Sequence, residues 1–326
     1  MKTSLHASCL PERTSVFLFS STVFWLSFAG SLSLILGFIL YRKDIAAAHG
    51  LDRLIVLGPV FVAAPLATFG AEHFRAGSRM APMVPHWIPW HVFWIYFVGC
   101  CLIAAPLSFV FRRCLSWSAP LLAALFLIFV FTMDLPGTIA RPNRIDWVLL
   151  CRETAFATGA LALTAIAWQE KGRFTIHPKF TGFPQILAVT TRFVFGAVLV
   201  FYGVQHFLHP ECVIGVPLEK ITPAWIPIHA FWAWVTGAIE LIAGIALLIN
   251  KRARFAAALV GAVNTAIVLF FYTPILATDR GTAQLVEGIN YVFDTLLFAG
   301  TALLIAAAMP YRSEHAPSGS NTDRSM

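Results

Sequence analysis

Residues 85–94 read Pro-His-Trp-Ile-Pro-Trp-His-Val-Phe-Trp, and residues 223–232 read Pro-Ala-Trp-Ile-Pro-Ile-His-Ala-Phe-Trp. Seven of the ten positions are identical, at an offset of 138. Matching landmarks extend outward from both copies in one order. Upstream, Gly70-Ala-Glu-His-Phe74 corresponds to Gly203-Val-Gln-His-Phe207. Downstream, Gly99 corresponds to Gly237, the basic pair Arg112-Arg113 to Asn250-Lys251, and Pro136 to Pro274. Glu153-Thr154 and Gly159 match Asp294-Thr295 and Gly300 after a three-residue shift. Self-similarity of this kind is the signature of a repeated structural unit.

The solvent of that unit follows from composition. Of 326 residues, 58% are hydrophobic and 12% are charged, and the mean hydropathy is +0.76. A soluble domain carries roughly 25% charged residues. Half that charge cannot solvate a compact chain of this size, which excludes a water-soluble enzyme, a nucleic-acid binder and a disordered linker. A multi-pass membrane protein remains, with the lipid bilayer as its first partner and no nucleic acid. The formal charge of +7 comes from short basic stretches between apolar runs, such as Arg42-Lys43 and Lys251-Arg252. Six cysteines form neither C-x-x-C nor a zinc spacing, so Cys100-Cys101 reads as packing.

A spanning helix needs about 20 mostly apolar residues. Val16–Tyr41, Leu54–Ala71, Trp87–Phe111, Cys114–Met133, Phe193–Pro210 and Phe255–Thr278 contain no Asp, Glu, Lys or Arg. Residues 147–168, 221–250 and 286–308 are apolar with one or two charges inside. The expected fold is therefore all-α: two tandem, parallel four-helix transmembrane bundles plus one extra N-terminal helix, about nine spans. The expected segments are a polar N-terminus at 1–15, the extra helix at 16–41, four-helix units at 51–168 and 186–309, and a disordered tail at 310–326. The first apolar run is too long for an ordinary signal peptide and is expected to be retained.

Four spans per unit is an even number, so both units enter the bilayer in the same direction. This differs from the inverted repeats common in secondary transporters. Lys and Arg number 13 on the side holding the C-terminal tail and 8 on the other. The positive side faces the cytoplasm, which places the C-terminus inside and the motif loops on the outer face.

The pattern G-x-x-H-F, then P-x-W-I-P-x-H-x-F-W, a glycine, a basic loop and a proline-bearing helix resembles the DoxX-like membrane proteins. The resemblance covers each four-helix unit, nearly everything from residue 51 to 308. It implies a bacterial inner-membrane bundle. It also implies association with a redox system, because members serve as membrane subunits that work with quinone or with a thiol oxidoreductase. A bound quinone and a soluble oxidoreductase partner are the corresponding expectations; haem or metal is not expected.

Polar groups at membrane depth are costly, so each is a functional candidate. His73 and His206 close the second and sixth spans. Each can hydrogen-bond a quinone carbonyl or, as a plain helix-end imidazole, a neighbouring loop carbonyl. His91 and His229 follow the Trp-Ile-Pro turns. Trp87, Trp225 and Trp232 cluster there, as an interfacial belt or as a cage for a flat ring. His229, Thr236 and Glu240 share one helix face, within about 20° of a line, with Glu240 about 16 Å deeper than His229. That face reads as a proton path or pocket floor; alternatively Glu240 pairs with Asn264 or Asn290. Leu102 stands where the second copy has Glu240, so the second unit is the expected place for a site. Glu72 belongs to the first copy of the G-x-x-H-F motif. Glu153 and Asp294 lie on the last helix of each unit, and Asn290 with Asp294 forms an i, i+4 polar stripe that can equally be interhelical glue. Arg152 and Glu153, adjacent on a helix, point about 100° apart and are expected to bond elsewhere.

Overall fold

The computed structural model describes residues 21–170 and 182–309. The polar N-terminus and the tail at 310–326 lie outside those residues. Among the described residues there is no strand, only an isolated antiparallel bridge between Cys212 and Ile221. The described residues form nine long helices in order: α1 Thr22–Ala47, α2 Gly58–Met80, α3 His91–Val110, α4 Leu115–Ala140, α5 Arg144–Glu170, α6 Phe183–Leu208, α7 His229–Leu248, α8 Ala253–Thr278 and α9 Thr282–Ala308. Eight of them are long and apolar enough to cross a bilayer. The other, α2, carries Glu72, His73, Arg75 and Arg79 in its second half and lies against α1, α3 and α9. The chain is an all-α membrane protein of about nine spans; in chain order, α1 precedes two runs of four helices, a first unit α2–α5 and a second unit α6–α9.

Sequence explains the shapes of individual helices. Proline lacks an N–H, and its ring collides with the carbonyl four residues back. Pro136 and Pro274 resolve this in the same way: a wider π turn, Val130–Asp134 or Val268–Tyr272, precedes each of them. Trp90 and Ile228, at equivalent positions before α3 and α7, both adopt left-handed backbone with φ near 60° and 51°. The indole N–H of Trp94 donates to the Pro89 carbonyl at 3.0 Å, and that of Trp232 to the Pro227 carbonyl at 3.2 Å.

Glycines set the closeness of the hairpins. A Cβ on Gly203 would lie 2.7 Å from the Gly237 carbonyl oxygen, and one on Gly237 would lie 2.8 Å from His206 Cβ. In the first unit Gly70 faces the Gly99 carbonyl at 3.2 Å, and Gly99 faces His73 Cβ at 3.0 Å. Small residues let the two backbones approach, the usual device where lipid supplies no hydrophobic drive.

The core runs along α9, which is almost wholly buried. The two units exchange partners at their seam. The first helix of one packs on the last helix of the other: α2 on α9, and α6 on α5. The two last helices, α5 and α9, pack together between them. The extra helix α1 lies on α2 and α9, anchored by Tyr41 donating to the Phe109 carbonyl at 2.9 Å. Its outward face, with Phe28, Ile35 and Ile39, is exposed and suits lipid.

Candidate functional site

The seam creates a cavity of about 520 Å³. Phe69, Glu72 and His73 of α2 form one wall, and Arg152, Glu153 and Phe156 of α5 another. Asn290, Tyr291 and Asp294 of α9 form a third, Leu102, Phe126 and Phe129 the apolar floor, and Leu218 reaches in from the α6–α7 loop. Apolar walls with a few convergent polar groups are the usual make-up of a small-molecule site.

The polar edge is tied across the units. Arg152 donates through Nη1 to Asp294 at 2.9 Å and through Nη2 to Glu153 at 3.0 Å. The expectation that Arg152 and Glu153 would not pair is corrected here: the guanidinium is long enough to reach its neighbour while also crossing to α9. Asn290 Nδ2 donates to Glu72 Oε1 at 3.2 Å, joining α9 to α2. His73 Nδ1 lies 2.8 Å from the Phe69 carbonyl. A carbonyl only accepts, so Nδ1 carries the proton and Nε2 of the neutral ring is left as an acceptor. At the rim, Lys220 Nζ lies 3.5 Å from Asp279 and 3.6 Å from Glu287. The edge thus offers a guanidinium donor, an imidazole acceptor and carboxylates beside aromatic walls. It can hold a ring whose polar end needs both donors and acceptors.

The remaining candidates lie elsewhere. His206, Thr236 and Glu240 are buried together, and His206 Nε2 is 3.2 Å from the Gly215 carbonyl and 3.5 Å from Glu240 Oε2. Neither Asn264 nor Asn290 bonds Glu240. His229 shares their helix face but is exposed at the first turn of α7. His91 is half-buried; Trp87, Trp225 and Trp232 are exposed, in keeping with an interfacial belt. Among the described residues no group of three or more His, Cys, Asp or Glu is placed to hold a metal.

Residues missed from sequence include the aromatic walls, Arg144 and the loop itself. Arg144 donates to the carbonyls of Pro217 at 2.8 Å and Leu218 at 3.1 Å, fixing the loop over the cavity. Burial pushes the Cys212 thiol up from its ordinary value. The exposed Glu211 carboxyl is held low by its own backbone N–H and by His209. One signal for this loop was available: His206 to Pro223 is five residues longer than His73 to Pro85.

Helices of this length and apolarity, with lipid-suited outer faces, define a multi-pass all-helical membrane protein. The DoxX family model matches residues 187–273, from the first turns of α6 to just past the π turn of α8, so the chain is DoxX-like over that stretch. Comparison with curated proteins and with solved structures gives no match.

Proposed function

We propose that this chain is a bacterial inner-membrane subunit that holds a quinone or similar lipid-soluble ring compound in the seam cavity, in the service of a redox system. The observation that carries the reading is the cavity: aromatic walls beside a polar edge built from both units. Arg152 supplies donors for a ring carbonyl. Glu72, Glu153 and Asp294 are carboxyls beside it that can exchange protons if the ring is reduced. The C-terminus is cytoplasmic, the motif loops face outward, and a soluble oxidoreductase is the partner. The local geometries shared at an offset of 138 residues support an internal duplication, with units at 51–168 and 186–309.

A second reading is an assembly scaffold without a ligand. The Arg152–Asp294 and Asn290–Glu72 contacts favour it, since they clamp the units together as polar glue would. A small-molecule permease is the third reading and has less support, because the units are parallel.

Purification in mild detergent followed by organic extraction and mass spectrometry separates these readings. A quinone near one per chain, reduced at least fivefold by R152A or H73A, is the expected result. Bulk phospholipid alone, from a chain that remains monodisperse, would sink the quinone reading.

A further inference from the structure

Three residues of the seam cavity's floor, Leu102, Phe126 and Phe129, have counterparts 138 positions later in Glu240, Asn264 and Ile267. His73 has its counterpart in His206. In the second unit the backbone of Gly215 lies against Asn264, Ile267 and His206. These positions are filled by the loop between α6 and α7. Val213, Ile214 and Val216 of that loop are at most 5% exposed. Gly215 is buried with them. Its carbonyl accepts from His206 Nε2 at 3.2 Å, and its Cα approaches so closely that a Cβ would lie 3.2 Å from Asn264 Oδ1. Tyr272 donates to the Ile214 carbonyl beside it at 2.8 Å.

The groups under the loop are unusually polar for core. His206, Glu240 and Asn264 are each at most 1% exposed. Both Glu240 oxygens, His206 Nδ1 and Asn264 Oδ1 make no hydrogen bond; Glu240 Oε2 approaches His206 Nε2 only to 3.5 Å. A site shaped only for packing would favour Leu102 and Phe126, which the first unit has in place of Glu240 and Asn264, because an unmatched buried polar group costs about 1–3 kcal/mol. The loop is also held from outside. Arg144 grips the carbonyls of Pro217 and Leu218, and the Lys220 backbone N–H donates to Tyr291 Oη at 3.1 Å.

We propose that the second unit contains a second binding pocket, positioned like the seam cavity, and that residues Cys212–Leu218 are a removable plug seated in it. The Gly215 carbonyl occupies the place of a ligand's carbonyl on His206. A small neutral carbonyl compound is therefore the class that the opened pocket would take, with Glu240 and Asn264 as its other contacts. This inference does not depend on what the seam cavity holds.

The test uses the full chain in detergent, with native cysteines replaced and N264C introduced. Its reaction with 2-aminoethyl methanethiosulfonate is followed in three backgrounds: intact plug, residues 213–217 deleted to match the first unit's loop length, and G215V. The valine substitution adds a side chain at φ +96°, a strained backbone for any L residue, with its Cβ 3.5 Å from Thr295 Cγ2, which drives the plug out. Labelling at least tenfold faster in both altered backgrounds is expected. Equal rates in a monodisperse chain would overturn the proposal. So would failure of both altered chains to fold, since the loop would then be indispensable core. Decylubiquinone, as a carbonyl probe, should slow labelling of the opened pocket at least threefold; no protection in a chain that labels fast overturns the ligand class.

Discussion

Arg152 of α5 and Asp294 of α9 meet at 2.9 Å across the seam between the two four-helix units, and the same guanidinium holds Glu153 at 3.0 Å. The Arg152 and Asp294 side chains are 20% and 11% exposed, so solvent screens them little. Removing one member of a buried pair leaves the other charge uncompensated, a loss of about 3–5 kcal/mol. R152A should lower thermal stability by that order in detergent, read by intrinsic fluorescence. R152M combined with E153Q and D294N removes all three charges and should recover much of the loss. If R152A melts with the wild type, the contact contributes nothing.

The hairpin glycines give a contrast within one family of substitutions. A Cβ on Gly244 would lie 2.7 Å from the Gly196 carbonyl oxygen, and one on Gly203 would lie 2.7 Å from that of Gly237. Backbone cannot yield there as a flexible side chain would. G203A and G244A should each destabilise by about 1–3 kcal/mol, the usual penalty of overpacking. Gly137 has nothing within 4 Å of its would-be Cβ. G137A should lie within about 0.5 kcal/mol of wild type or above it. Three indistinguishable melting curves would refute the close-approach argument.

The spans were legible because apolar run length is a local property. The Trp-Ile-Pro turns precede α3 and α7, and the proline-bearing runs fall within α4 and α8; α1 ends at Ala47, six residues past the expected 41, and the expected start at 16 lies outside the described residues. Partner choice was not legible. Nothing local to α2 says that it packs on α9 rather than on α5, since either face offers similar small and aliphatic residues. The cavity inherits that opacity: Glu72 and Asn290 touch, yet they are 218 positions apart. The stripe of Thr236 and Glu240 was readable by angle, whereas His229 shares the angle but lies beyond the packed part of the helix. Sequence placed the expected site in the second unit, because Leu102 is the first unit's counterpart of Glu240. The cavity of about 520 Å³ draws on both units, with Leu102 in its lining, and its far wall on α9 could not be read from the first unit's own residues.

Arg144 should control the loop over the cavity. It supplies two donors to the Pro217 and Leu218 carbonyls and sits 3.6 Å from Cys212 Sγ. With R144A the loop loses its outer fastening, while Lys220 keeps its contacts to Asp279 and Glu287. Trypsin cleavage after Lys220 should become at least fivefold faster than in wild type, with melting temperature little changed. Unaltered cleavage would mean that the buried half of the loop alone fixes it.

Cys212 should behave as a weakly acidic thiol. Burial disfavours its thiolate, which raises the thiol above its ordinary value, and Arg144 opposes that shift only in part. Stability gained by keeping the thiol neutral is intact below the unfolded thiol's pKa, about 8.5. It is lost as the pH rises through the folded value. In a chain retaining only this cysteine, the midpoint of iodoacetamide alkylation against pH should lie above that of a free thiol. R144A should move it higher still. A midpoint at or below about 8.5 would contradict the burial argument.

The tryptophans locate the bilayer. Trp25, Trp94, Trp117, Trp147, Trp168, Trp232 and Trp234 lie within six residues of a helix end, and Trp87, Trp90 and Trp225 lie in the turns before α3 and α7. Indoles prefer the headgroup level, where the ring is in lipid and the N–H can reach a polar partner. Those of Trp94 and Trp232 use the Pro89 and Pro227 carbonyls for this, with their rings 40% and 46% exposed. In reconstituted vesicles, lipids with a nitroxide near the headgroup should therefore quench tryptophan fluorescence at least twice as strongly as lipids with the label at the acyl-chain end. Stronger quenching from the chain end would place the belts at the bilayer centre. Because Leu102 of the seam cavity lies only eleven residues past His91, at the start of α3, such a result would also move the cavity away from the membrane half next to that belt.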